Sequence, residues 1–321
     1  MNVFRAVPPI ARLAGFTACI ALATPHGANA QINYTVLGDS YAYGYTTPAG
    51  TGSGNGAPSG GYFQGFANAL GAQQSKTVIV TNVAILGETT ASFAAGPLPS
   101  PNANTTYAGS AATSQAAEAQ LKLSAATNVV TLQLGGNDGI NYLYQSIYGT
   151  QTTPNTTTSS PVLVQAANSV GTILQSIHAA APNATVFLIG YADAFAALNP
   201  ALNPNANGLQ GFDVQATQSL NSLLAAKAQA NNARFVDIAP LFSTNSGAQN
   251  YLGNFFNINV ASANTNFSGL VIPDFHPNAA GYNAISQALV SAASAPEPGS
   301  FGLMASVTLL FGGLLRRRAR A

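Results

Sequence analysis

The chain predicts an α/β domain built on a central parallel sheet with helices over both of its faces. One observation is a set of apolar runs of strand length at Tyr34–Leu37, Val78–Ile85, Val129–Leu134, Thr185–Ile189 and Arg234–Ile238. The other is a set of helical candidates between and after them, at Tyr62–Leu70, Val162–Ala180, Asp213–Ala230 and Ala279–Ala292. Alternation of the two kinds of segment makes consecutive strands parallel and lays the connecting helices on the sheet.

Each element has its own punctuation. The first strand runs through Thr35-Val36-Leu37 into Gly38-Asp39-Ser40, and the second into Leu86-Gly87-Glu88. The third ends at Gly135-Gly136-Asn137-Asp138. The helix at Val162–Ala180 carries His178 near its C-terminal end, where an imidazole suits the helix dipole. Pro277 stands where it can start the last helix. Thr46–Gly61, Gly96–Ser114 and Gly149–Ser160 are rich in Gly, Pro, Ser, Thr and Asn and are expected as surface loops, the first two framing a cleft. No repeat and no second domain is apparent.

The two ends stand apart from this domain. Residues 1–30 carry Arg5 and Arg12, a largely apolar run from Leu13 to Ala23, and Ala28-Asn29-Ala30, which has the form of a secretory cleavage site. The mature chain is expected to begin near Gln31. The single cysteine, Cys19, falls inside this segment, and Phe16-Thr17-Ala18-Cys19 is a poor lipoprotein acylation site. The exported domain then holds no disulfide and relies on its apolar core.

At the other end, Pro296-Glu297-Pro298 precedes an apolar run from Gly299 to Leu315 and the cluster Arg316-Arg317-Arg318-Ala319-Arg320. The run approaches the short limit for a membrane span, with the arginines on the cytoplasmic side. This arrangement resembles the PEP-CTERM sorting signal of Gram-negative bacteria that make exopolysaccharide. The resemblance implies processing by an exosortase and delivery to the cell surface or matrix; the alternative is a plain C-terminal anchor. Either places residues 31–295 outside the cytoplasm.

Within 31–295, Lys76, Lys122, Lys227 and Arg234 stand against Asp39, Glu88, Glu118, Asp138, Asp193, Asp213, Asp237 and Asp274, a net charge of −4. So sparse and acidic a surface argues against nucleic acid, which needs clustered Lys and Arg.

Four strings carry chemistry. Ser40 follows a strand at its carboxyl end, where open α/β sheets place ligands. A serine hydroxyl needs a base, and His276 in Asp274-Phe275-His276-Pro277 is the candidate, since His178 reads as structural. Asn137 offers a side-chain amide and Gly87 a backbone N–H for the negative oxygen of a tetrahedral intermediate, both following strands that end at the same edge. Taken singly, Gly-Asp-Ser is also an ordinary turn or helix cap, and Gly135–Asp138 an ordinary strand-ending turn.

Together these blocks resemble the SGNH (GDSL) hydrolase family, from Ser40 to His276. The resemblance implies a flavodoxin-like three-layer α/β/α fold and ester hydrolysis through an acyl-serine, with no cofactor or metal. It assigns Ser40 as nucleophile, the Ser40 N–H with Gly87 and Asn137 as oxyanion donors, and His276 as base. That family usually places its acid three residues before the histidine, where this chain has Pro273; Asp274, two before, is the candidate acid. The alternative is a Ser–His dyad oriented by a backbone carbonyl.

Tyr41, Tyr43, Tyr45, Tyr62 and Phe63 supply aromatic faces, either for an acyl chain or sugar ring or for packing. The expected function is an exported serine esterase acting on a lipid, an aryl ester or an acetylated polysaccharide. The rival is a surface or matrix binding protein that keeps the fold without turnover.

Overall fold

The computed structural model describes residues 31–45, 61–96, 114–146, 152–192, 210–243 and 276–295. Five strands, β1 (Ile32–Gly38), β2 (Val78–Asn82), β3 (Val129–Gln133), β4 (Thr185–Ile189) and β5 (Arg234–Val236), form one sheet of order β2-β1-β3-β4-β5. Every neighbouring pair is parallel, with Tyr34 beside Val80 on one side and Val129 on the other. This is the flavodoxin-like strand order, the architecture the sequence predicts.

The helices are α1 (Ser40–Tyr43), α2 (Tyr62–Gln74), α3 (Thr90–Ala95), α4 (Gln115–Lys122), α5 (Gly136–Tyr144), α6 (Pro161–Ala180), α7 (Gln210–Ala230), α8 (Ala239–Ser243) and α9 (Ala279–Ser294). Side chains alternate across the sheet. Tyr34 and Val36 of β1 with Phe187 and Ile189 of β4 pack against Phe66 of α2 and Ile285 and Leu289 of α9. Val130 and Leu132 of β3 with Val186 and Leu188 of β4 pack on the opposite side against Leu174 of α6 and Leu224 of α7. Burial on both faces explains why the central strands read as unbroken apolar runs.

Two strands stop two or more residues short of their apolar runs. The Asn82 side chain accepts from the Ala84 N–H, turning the chain at the end of β2, although Val83 and Ile85 still donate to the Val36 and Gly38 carbonyls of β1. Asp237 does the same for the Ala239 N–H, so β5 stops at Val236 and α8 begins. Helices α1, α3, α4, α5 and α8 are too short or too glycine-rich to stand out by periodicity. Of the expected loops, residues 46–60 and 97–113 lie outside the described residues, whereas 152–160 is irregular as expected.

Because β1 has β2 on one side and β3 on the other, chains leaving the carboxyl ends of β1 and β3 diverge, and a crevice opens between them. Ser40 and Asn137 follow those two ends. Gly38 closes β1 at φ 131°, and a Cβ there would lie 2.0 Å from the Gln133 carbonyl oxygen. Only glycine fits. Gly38→Ala should therefore lose about 3 kcal/mol or more of stability in urea unfolding, from strain and overlap together.

Candidate active site

The site begins with one buried turn. The Asp39 carboxylate accepts from the Tyr41 N–H at 3.0 Å, and the Asp39 N–H donates to the Gln133 carbonyl at 3.0 Å. Ser40 is thereby fixed as the first residue of α1, directly past the sheet edge. From the far end of the chain, His276 precedes α9, whose start is capped by the Asn278 side chain accepting from the Gly281 N–H. This entry brings His276 Nε2 to 2.7 Å from Ser40 Oγ.

Aromatic rings hold the imidazole. Tyr45 meets it edge-on with ring centroids 4.6 Å apart, and Tyr41 lies 5.8 Å away. Tyr45 is fixed in turn, its N–H donating to the Ser40 carbonyl and its own carbonyl accepting from the Tyr282 hydroxyl of α9 at 2.7 Å. Tyr41 and Tyr45 thus border the site. Tyr62 and Phe63 instead belong to the core between α2 and the sheet, and Tyr43 packs at its margin. His178 lies in the last turn of α6. Asp274 is outside the described residues.

Asn137, the second residue of α5, lines the same cavity as Ser40. Its Nδ2 donates to the Glu88 carbonyl at 2.9 Å, which ties it to the turn that carries Gly87 at φ 72°. An amide nitrogen has two N–H groups, so one holds this turn and a second remains.

Beneath lies a polar network that the sequence did not reveal. The fully buried Glu88 carboxylate accepts from Ser92 Oγ at 2.5 Å and from Gln115 Nε2 at 2.8 Å. The Gln115 amide also grips the Gly38 backbone, accepting from its N–H at 2.6 Å and donating to its carbonyl at 2.8 Å. Asp138 accepts from the Thr90 N–H and hydroxyl at 2.9 and 2.7 Å, fastening α3 to α5. Burial raises the pKa of Glu88 and Asp138 above the ordinary carboxylate range, with these donors opposing the shift. The available signal was acidic residues amid uncharged sequence, but nothing named their partners.

Tyr191, just past β4, was also not foreseen, although it stands at the same sheet edge. Its hydroxyl donates to Asp39 Oδ2 at 2.5 Å. Asn221 of α7 holds its backbone on both sides, at 2.9 Å to the N–H and 2.7 Å to the carbonyl. The Tyr191 ring rests on Gly136, where a Cβ would lie 2.5 Å from it. Burial raises Asp39 to about 7, opposed by the Tyr191 hydroxyl, the Tyr41 N–H and the charge of His276. Burial likewise raises Tyr191, and the Asp39 charge adds to that shift.

Residues 36–284 match the profile of the GDSL-like Lipase/Acylhydrolase family. Among solved structures, the chain is similar to an extracellular lipase from Streptomyces rimosus at 19% identity, over 81% of this chain and 99% of that one, with a TM-score of 0.51. It is also similar to phospholipase A1 from Streptomyces albidoflavus at 19% identity, over 82% and 99%, with a TM-score of 0.49. A carbohydrate acetylesterase from Sinorhizobium meliloti aligns at 15% identity, over 82% and 98%, with a TM-score of 0.45. At such identity the likeness to the Streptomyces rimosus lipase speaks for the fold alone. No curated protein sequence matches the chain.

Because the fold raises Asp39 from 3.8 to about 7, it favours the protonated acid. The stability this contributes is present below the ordinary aspartate range and is lost as pH rises through about 7. Asp39→Asn, which keeps a capping oxygen, should not show that loss. Between those two values, wild type should fall relative to the variant by up to about 1.4 kcal/mol per pH unit in paired denaturation curves.

Proposed function

The chain belongs to the GDSL-like lipase/acylhydrolase family and is a carboxylic ester hydrolase, and from that premise we propose that it works through an acyl-serine formed on Ser40. The reading rests on one contact above all, the 2.7 Å between Ser40 Oγ and His276 Nε2. Ser40 Oγ attacks the ester carbonyl carbon while its proton passes to Nε2. The carbonyl oxygen becomes an anion, and the Ser40 N–H, the Gly87 N–H and the Asn137 amide are its donors. Collapse breaks the bond to the alcohol oxygen, which leaves with the proton held by His276. Water then adds to the acyl carbon and gives its proton to His276. The acid departs, and Ser40 recovers its proton.

Asp274 is the acid of this scheme. In that role its carboxylate fixes the imidazole tautomer and stabilises the imidazolium. The proposal extends to location: residues 1–30 direct export, and residues 296–321 act as a PEP-CTERM-type signal read by an exosortase. Both segments lie outside the described residues. Among the described residues, no helix is long and apolar enough to cross a membrane.

The full-length chain should hydrolyse p-nitrophenyl esters, and Ser40→Ala or His276→Gln should lower kcat by on the order of 10⁴–10⁶. A fluorophosphonate should label wild type at Ser40. Asp274→Ala should lower kcat by on the order of 10⁴; near wild-type turnover would leave a Ser–His dyad. N-terminal sequencing of the exported protein should begin near Gln31.

A further inference from the structure

Tyr191 reaches two chain ends at once. Strands β1 and β3 deliver Ser40 and Asn137 to the crevice between them, and the residue before each of these touches this one side chain. The hydroxyl donates to Oδ2 of Asp39, which precedes Ser40, at 2.5 Å. The ring edge rests on Gly136, which precedes Asn137. A Cβ on Gly136 would lie 2.5 Å from Tyr191 Cε1 and 2.7 Å from Cζ.

Both places need holding. Asp39 is only 2% exposed, and one oxygen of its carboxylate caps α1 through the Tyr41 N–H. The Tyr191 hydroxyl binds the other oxygen and so sets the rotation of the group that starts the helix carrying Ser40. Without this donor, Oδ2 would be short of a partner in a place nearly closed to water, and the carboxylate would turn to find one. At the start of α5, Gly135 and Gly136 precede Asn137, and no side chain caps the helix. Two glycines leave that backbone free to shift. The Tyr191 ring fills the space beside Gly136 and limits the shift.

Tyr191 is itself anchored from three elements. Asn221 of α7 bonds its N–H and its carbonyl, at 2.9 and 2.7 Å. The preceding residue, Gly190, donates its N–H to the Val236 carbonyl of β5, and its carbonyl accepts from Gln133 Nε2 of β3 at 2.9 Å. Phenylalanine would fill nearly the same volume, so packing alone does not call for the hydroxyl. Resting on the acyl-serine reading above, we infer that Tyr191 is a positioning residue, which sets the Ser40 hydroxyl against the Asn137 amide by holding the residue before each. The ester carbonyl has to fit between those two groups with a tolerance of about 0.5 Å.

The test is steady-state hydrolysis of p-nitrophenyl esters by the full-length chain as wild type, Tyr191→Phe, Asp39→Ser and the double variant, with urea unfolding of each alongside. Tyr191→Phe keeps the ring and loses only the hydroxyl. Asp39→Ser keeps a favoured helix cap but is too short to meet Tyr191. Either change should lower kcat by about tenfold or more with KM within about twofold of wild type, because substrate still binds while the reacting groups are misplaced. Labelling of Ser40 by a fluorophosphonate should slow to match. The double variant should lose no more than either single one, since both break the same bond. Tyr191→Leu, which also takes the ring off Gly136, should fall further; a loss equal to that of Tyr191→Phe would overturn the Asn137 half. Unchanged kcat in folded Tyr191→Phe, a loss confined to KM, or losses that multiply in the double variant overturn the positioning role while leaving the esterase intact. If either single variant fails to fold, the other decides by the same criterion. Failure of wild type on every ester, with no fluorophosphonate label on Ser40, overturns the esterase mechanism and this inference with it.

Discussion

The end of β1 is where sheet, polar network and Ser40 meet, and its geometry depends on the backbone of Gly38. There the chain runs at φ 131°, with no space between it and the Gln133 carbonyl. Gln115 supplies both an acceptor and a donor to the same residue, and its amide continues to the buried Glu88 carboxylate. The Asp39 cap and Ser40 are the next two residues. A displacement at Gly38 would therefore move the hydroxyl relative to His276 and the donors after β3. Preorganisation here is a property of main chain and buried amides more than of the reacting groups themselves.

The electrostatics around this turn follow from a chain poor in cations. Asp39, Glu88 and Asp138 are withdrawn from solvent near Ser40, and among the described residues none of them pairs with Lys or Arg. Neutral donors satisfy them instead: Tyr191 and the Tyr41 N–H for Asp39, Ser92 and Gln115 for Glu88, and Thr90 for Asp138. Such bonds join α1, α3, α4 and α5 into one frame at the carboxyl edge of the sheet. In a low dielectric, polar networks of this kind are rigid when complete and costly when broken. Tyr191 adds packing to polarity, since its ring occupies the space that Gly136 leaves.

The same edge divides into two environments. Around His276 are the rings of Tyr41 and Tyr45, with Tyr282 anchoring the second. Beyond Asn137 the described lining turns largely aliphatic, with Ile140 and Leu143 of α5, Leu163 of α6 and Leu220 of α7. Asn137 belongs to both, since its amide is tied to Glu88 while its own helix carries Gly139 and Ile140.

Much of this was written in the sequence by itself. Strand and helix alternation determined the parallel three-layer class, and β4 was legible residue for residue because burial on both faces makes a strand continuously apolar. Ser40, Asn137 and His276 were singled out because chemistry restricts the residue types that can serve in the roles proposed for them. The end of β2 was hidden, since the Asn82 side chain turns the chain there. Helix α5 was hidden by its two glycines. Tertiary structure alone decided that Ser40 and His276 meet at 2.7 Å across almost the whole domain, that Gln115 grips Gly38, that Tyr191 reaches Asp39, and that Tyr62 and Phe63 fill the core. Periodicity encodes which face of an element is buried; which polar group meets which depends on strand order and crossover path, and these emerge only when the whole sheet is assembled.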